Sequence, residues 1–487
     1  MISYKIFSMN RNFIISVLKT SSVLALICIA SFALIFIHEY IPNQNTDTSE
    51  KTAQKVEKPI SVKKSNQKKS KLQINLQQNN DLLATLNDDE TLQTMPIITI
   101  NINQDVDLTD YKLSKVEGFI SVKSAAQSFE NLPILIKGRG NTSWNQPKKS
   151  FNLELGQKFN LLGMGESKEF ALIANYTDKT LLRNSMAYYM GRNIFNSFKW
   201  SQNCRQCHVY FNEKYQGVYL LLEKITIEPN RVNIANLKDC KNEKQFEHFG
   251  YILEFNYRED EEFNFITPKG VTVSLNTPHA SQIKPELQQK IHDYILQFEE
   301  ALYSPDFNVA SSANYYGNYI DVDSFIDWYF INEISKNRDA RFFSSCYCYF
   351  DNADKLIHMG PLWDFDIGFG NDGETDCGVP QDFYIKNRAR YFVRLFQDSK
   401  FVSRVKERWQ EKVPEVKKLV TDFIPRYQTA YKDDFKQNFV RWPIFGKYVW
   451  PAAKGYQDRY TYDSEIRMLK DWLWTRIVWM DHQIAKW

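Results

Sequence analysis

Strand-like and helix-like patterns are segregated along this chain, and this segregation constrains the fold more than any other feature. After residue 95 the short β-type runs come first, among them MPIITINI (95–102), LPILIKGRG (132–140) and KKSFNLEL (148–155). Later, apolar residues recur every three or four positions over 283–302 and again over 466–484, which is typical of amphipathic helices. The order predicts a single α+β unit over residues 95–487.

Two hairpins are predicted within this unit. HVYFNEKYQGVYLLLEKI (208–225) reads as two strands turning between Asn212 and Gln216, and GYILEFNY (250–257) as a further strand. RFFSSCYCYF (341–350) and KLIHMGPLW (355–363) flank the turn DNAD (351–354), whose Asp and Asn residues tolerate a tight reversal.

The second hairpin would bring acidic residues from two parts of the chain together. Residues just before its first strand meet those just after its second, so we expect Asn337 and Asp339 beside Asp364 and Asp366 of WDFD. Magnesium prefers carboxylate oxygens and is usually held by one or two carboxylates plus substrate phosphates. A nearby carboxylate can accept the proton of an attacking hydroxyl. We therefore predict a metal site at Asp364 and a proton acceptor at Asp339; Asp366 either shares the metal or fixes the glycine-rich turn.

A basic block, KGRGNTSWNQPKKSF (137–151), could bind phosphate through Arg139 and one of two lysines. Alternation with Phe151 and the leucines after it places Lys149 on the inward face and Lys148 on the other. A lysine entering a buried face needs an acidic partner, and we expect Glu223 to supply it. The alternative is an ordinary hairpin with solvated lysines.

These blocks resemble the CotH kinase family. The similarity lies in KGRGNTSWNQPKKSFNLEL, ANYTDKTLLRNSMAYYMG (174–191), YQGVYLLLEKI (215–225), DVDSFIDWYFINEISKNRDA (321–340) and GPLWDFDIGFGN (360–371), which occur in the family's order. The resemblance implies an atypical protein-kinase-like fold that binds ATP with Mg²⁺ and phosphorylates serine on a partner protein.

The resemblance also implies roles for single residues. Lys149 would contact nucleotide phosphates, with Lys148 as the adjacent candidate if the strand register differs, and Arg139 would lie close by. Glu223 would orient the lysine, and Trp363 would lie near the nucleotide. Asp339, with Asn337 beside it, would correspond to the catalytic-loop aspartate, and Asp364, supported by Asp366, to the metal-binding aspartate.

The N-terminal part differs in kind from the rest. Residues 20–37 contain no charge and follow three basic residues, which predicts a single transmembrane helix with residues 1–19 in the cytoplasm and the main domain outside it. A cleaved signal peptide is the alternative, although HEYIPNQ lacks the small-x-small pattern that cleavage requires. Residues 38–94 are polar and lysine-rich and are expected to form a flexible tether.

Composition restricts the partners. The net charge of +3, from 61 basic and 58 acidic residues, gives no indication of nucleic-acid binding. The expected partners are a serine-rich protein substrate and the membrane.

Two observations favour other functions. CRQCH (204–208) has the spacing of covalent haem attachment, although a disulfide or two free thiols suits a β-hairpin better. ATP is also scarce outside the cytosol, so a catalytically inactive surface protein with a binding or adhesion role is the alternative to a kinase.

Overall fold

The computed structural model describes residues 75–86, 92–102, 112, 114–240, 248–258 and 261–487. The predicted segments 1–19 and 20–37 lie outside these ranges. Within the ranges, no helix is both long and apolar enough to cross a membrane. The segment predicted as a tether, 38–94, is described at 75–86 and 92–94. It contains a short strand, β1 (Gln77–Gln78), and a helix, α1 (Asn80–Thr85). These residues belong to one unit that runs from Leu72 to Trp487.

Seven of the first eight strands form a barrel. Its order is β4-β3-β2-β7-β8-β6-β5, and a further pairing between β5 and β4 closes it, while β1 adds to the end of β4. Neighbours are antiparallel except β2 and β7, which run parallel. The bounds are β1 Gln77–Gln78, β2 Ile97–Ile102, β3 Val116–Lys123, β4 Gln127–Arg139, β5 Ser150–Asn160, β6 Glu166–Ile173, β7 Cys204–Phe211 and β8 Lys214–Glu223.

Alternating apolar residues explain why these strands close. Leu132, Ile134 and Ile136 of β4 and Phe151 and Leu153 of β5 point into one buried core inside the barrel. The β7–β8 hairpin turns at Asn212 and Glu213, which have φ of 44° and 66°, within the range predicted from the sequence.

A second sheet has the order β10-β11-β9-β12-β13. Its strands are β9 Tyr251–Phe255, β10 Asn264–Ile266, β11 Thr272–Thr277, β12 Cys346–Asp351 and β13 Leu356–Met359. The predicted hairpin is β12–β13, with Cys348 opposite Met359 and Asp351 opposite Leu356. This pairing sets the relative position of the residues that precede β12 and follow β13.

Helices dominate the later part of the chain, as the sequence predicts. Their bounds are α1 Asn80–Thr85, α2 Arg183–Tyr189, α3 Pro285–Tyr303, α4 Val322–Ser335, α5 Ile385–Arg388, α6 Arg390–Leu395, α7 Ser399–Lys418, α8 Ile424–Arg441 and α9 Tyr462–Ile484. Helix α4 is buried on all sides from Ser324 to Ser335, so it is the central helix of this part. The strands and helices together confirm the α+β class.

Candidate functional site

A polar cleft of about 310 Å³ lies where the barrel meets the second sheet. Its walls come from the end of β4 and the following loop, the start of β5, the segment after β6, the end of β9 and the segments that flank the β12–β13 hairpin. The charged side chains that line it are Arg139, Lys148, Glu254, Arg258, Glu261, Asp339, Asp364 and Asp366. Except for Asn337, Lys149 and Glu223, every site residue predicted from the sequence lines this cleft.

The hairpin brings the acidic residues together as predicted. Asp339 and Asp364 face the same cleft, and the Asn337 side chain connects their segments. Asn337 donates from Nδ2 to the backbone oxygen of Asp364 at 3.3 Å and accepts at Oδ1 from the backbone nitrogen of Asp339 at 3.2 Å. Asn337 itself is buried, so it positions the two aspartates rather than facing the cleft.

Asp364 and Asp366 form a hydrogen-bonded carboxyl pair. Burial raises the pKa of Asp366 to about 7, and the charge of Asp364 adds to this effect. Asp364 is exposed to the cleft, but protein surrounds its other sides. The resulting desolvation raises the pKa of Asp364, while the charge of Arg139 opposes the shift. Two adjacent carboxyl groups that resist joint ionisation attract a cation.

The two carboxylates fit a magnesium ion that substrate phosphates and water also coordinate, rather than a metal bound only by protein ligands. Among the residues that the structure describes, no group of three or more His, Cys, Asp or Glu side chains is placed to hold a metal ion. A pair of carboxylates in an open cleft is the arrangement expected where substrate phosphates and water complete an octahedral site. Asp364 and Asp366 would therefore hold the metal only together with a phosphorylated ligand.

The Asp339 carboxylate differs from this pair because it is unpaired. None of the described residues donates a hydrogen bond to its side-chain oxygens, although its backbone oxygen accepts from Phe343 at 3.0 Å. Burial raises the pKa of Asp339 to about 6, and the charge of Arg338 opposes the shift. A carboxylate with this pKa is mostly ionised at neutral pH and can accept a proton.

Arg139 supplies an available cation near the carboxyl pair. Its guanidinium lies 4.9 Å from the ring centroid of Trp363, which is favourable cation–π geometry. It forms no salt bridge or side-chain hydrogen bond with the rest of the described chain. Its donors therefore remain free for an anion in the cleft.

The structure reverses the predicted order of the two lysines. Lys148 lines the cleft, whereas the Lys149 ammonium turns back to the backbone oxygen of Trp144 at 2.5 Å. Alternation from Phe151 correctly identified the face that points into the barrel core. The error arose because the opposite face of the strand is buried as well, against the cleft and α8, and Lys148 and Ser150 lie there.

Glu223 is not the partner of either lysine, contrary to the prediction. It is buried at the end of β8, where it accepts a hydrogen bond from the backbone nitrogen of Asn203 at 2.7 Å. Burial raises its pKa to about 7, and Arg231 is the strongest of the cations that oppose the shift. Lys148 contacts β8 at the backbone oxygen of Val218 instead.

Sequence reasoning missed the residues that hold Asp366. Thr177 donates from Oγ1 to the Asp366 carboxylate at 2.6 Å. Asn371 donates from Nδ2 to the backbone oxygens of Asp366 at 2.8 Å and Thr177 at 3.1 Å. The run NYTD directly after β6 was the available signal, because a polar segment at the end of a barrel strand often faces a site.

The CRQCH motif lies in strand β7, and its Cys207 and His208 side chains make structural contacts within the protein. No disulfide joins cysteines within the described residues, so the structure does not show the predicted disulfide alternative. Cys207 faces the barrel core, and burial raises its pKa to about 12. His208 hydrogen-bonds Asp434 at 2.8 Å and Tyr215 at 2.9 Å, so its imidazole is already engaged on both nitrogens.

Comparison with known protein families gives a match for this chain. A family model described as CotH kinase protein matches residues 136–480, well over half of the chain, and this range contains every residue of the cleft discussed above. No curated protein was found to match the chain.

Proposed function

Because this chain belongs to the CotH kinase family, we propose that it is an ATP- and Mg²⁺-dependent protein serine kinase. The observation that carries the proposal is the cleft itself, where the unpaired Asp339 carboxylate lies beside the Asp364–Asp366 pair. Kinase chemistry needs a proton acceptor and a metal site close together, with cations for the phosphates.

Each residue of the cleft has a different role in this proposal. Asp364, with Asp366 held by Thr177, would bind Mg²⁺, which supplies charge neutralisation at the phosphates when bound. Arg139 would donate to phosphate oxygens, and its contact with Trp363 holds the guanidinium in the cleft. Asn337 keeps the backbones of Asp339 and Asp364 at a fixed separation.

Asp339 performs the proton step. It accepts the proton of the acceptor hydroxyl as that oxygen bonds to the γ-phosphorus, and the bond from this phosphorus to the oxygen of the β-phosphate breaks. Its raised pKa makes it a stronger base than an ordinary aspartate while leaving it ionised at pH 7.

Substrate and location complete the proposal. The acceptor is a serine of a serine-rich partner protein, and residues 20–37 anchor the chain in a membrane with the kinase domain on the extracytoplasmic side. The uncharged sequence of residues 20–37 and the preceding basic residues support this orientation.

The test uses the full-length chain with ATP, Mg²⁺ and a serine-rich protein. We expect phosphoserine by mass spectrometry, and we expect D339N to lower the transfer rate by about 10²- to 10⁴-fold while it still binds ADP with Mg²⁺. D433N, a substitution on the exposed side of α8, is the matched control and should transfer at the wild-type rate.

The outcomes separate the two functional classes. Transfer by D339N at the wild-type rate would show that Asp339 is not the base. A wild-type chain that neither binds ATP nor transfers phosphate would instead favour the binding or adhesion role.

A further inference from the structure

The ammonium group of Lys148 is held by three acceptors at the edge of the cleft. It donates to the backbone oxygen of Ala174 at 2.8 Å, to Oδ1 of Asn438 at 2.9 Å and to the backbone oxygen of Val218. The side chain is 2% exposed. An ammonium has three N–H donors, so this cage satisfies every one of them.

The cage contains no negative charge. Lys148 forms no salt bridge in the part of the chain that the structure describes, and Glu223 is engaged elsewhere. Burial lowers the pKa of Lys148 well below its usual value, while the three acceptors favour the charged form. A buried cation without a counter-ion is costly to a folded protein unless a ligand supplies the missing charge.

Asn438 is the only side chain in this cage, and its oxygen is fixed by its neighbours. The same Oδ1 accepts from the backbone nitrogen of Val218 at 3.1 Å. Since both neighbours are donors, the atom that faces them has to be the amide oxygen. Helix α8 approaches β8 closely here, because a Cβ on Gly217 would lie 2.5 Å from that oxygen.

We propose that Asn438 is the positioning residue of Lys148 and that its neutral amide leaves the charge of the lysine available to the nucleotide phosphates. This inference rests on the proposed kinase function. An aspartate at position 438 would offer the same acceptor geometry but would also neutralise the lysine. Asn438 would thus be the lysine's side-chain partner, the role that the sequence analysis gave to Glu223, but it carries no negative charge.

The experiment compares N438D and N438A in the full-length chain. ADP with Mg²⁺ is the probe, binding is measured by calorimetry, and thermal unfolding is measured without nucleotide. We expect N438D to weaken ADP binding roughly 10- to 100-fold, the range for one added charge within several ångströms of the phosphates. N438D should unfold at or above the wild-type temperature, because the new carboxylate pairs with the buried ammonium.

N438A should differ from N438D in both unfolding temperature and ADP affinity. It removes an acceptor from Lys148 and from the Val218 amide, so it should unfold below the wild-type temperature but lose less ADP affinity than N438D. Q437E adds the same charge at the adjacent exposed position and is the control for net charge.

Each outcome decides one question. If the wild type binds ADP and N438D binds it as tightly as Q437E does, the inference is wrong and the kinase proposal stands. If N438D unfolds at as low a temperature as N438A, Lys148 does not need a counter-charge, and the inference is also wrong. If the wild type does not bind ADP, the kinase proposal fails first.

Discussion

Helix α4 ends between two clusters of charged groups that differ in how completely their polar atoms are paired. The clamp cluster consists of Glu333, Lys336 and Arg476, and the cleft cluster consists of Asp339, Asp364 and Asp366. Glu333, Lys336 and Asp339 lie at or just after the end of α4, whereas Arg476 comes from α9 and the two other aspartates from the segment after β13.

Every charge of the clamp cluster has partners. Arg476 pairs with Glu333 at 2.6 Å, and Glu333 also accepts from the backbone nitrogens of residues 384, 385 and 386. Lys336 donates to the backbone oxygens of residues 376, 379 and 381 at 2.6–2.9 Å. Together these contacts fix the segment that follows the cleft.

The cleft cluster, by contrast, leaves groups unpaired and carboxyls close together. The Asp339 carboxylate accepts no hydrogen bond from the described residues. Burial and the charge of Asp364 raise the pKa of Asp366 to about 7. The charged groups of the structural cluster thus have all their hydrogen-bond and ion-pair partners within the protein. The charged groups of the functional site do not, and they can bind a ligand.

The largest effect on stability is expected at the clamp cluster. R476M leaves the Glu333 carboxylate buried without its cation, so we expect a loss of about 3–5 kcal/mol in the free energy of unfolding. Denaturant unfolding measures it, with R467M on the exposed side of α9 as the control. A loss no greater than that of the control would contradict the structural role of this cluster.

In the cleft cluster, the expected effect is a dependence of the free energy of unfolding on pH. The pKa of Asp366 is raised from 3.8 to about 7 in the folded chain, so between these values the folded state binds a proton that the unfolded state has released. Metal-free protein should thus lose stability as the pH rises from about 4 to 7.

D366N should make this pH dependence shallower. Thermal unfolding at pH 5 and pH 8 in a metal chelator measures the difference for both proteins. Some slope will remain, because the pKa values of Asp339 and Glu223 are raised in the same direction. An unchanged slope would mean that the pKa of Asp366 is not raised in the metal-free protein.

Sequence reasoning located the acidic residues of the site and Arg139, but it ranked the wrong lysine first and gave it the wrong partner. The β12–β13 hairpin is local, with a recognisable turn, so it was possible to predict that Asp339 lies near Asp364. The lysine depended on contacts that are distant in sequence. Alternation in β5 cannot distinguish two buried faces, and nothing near Lys148 indicated that Asn438 would contact it from α8.

The central claim is that the Asp364–Asp366 pair holds a divalent metal together with nucleotide phosphates. Its most direct test is the calorimetric affinity for ADP with and without Mg²⁺ in the wild type and in D364N. We predict that Mg²⁺ tightens ADP binding by about tenfold or more in the wild type and has no effect in D364N. An equal effect of Mg²⁺ in both proteins would contradict the account.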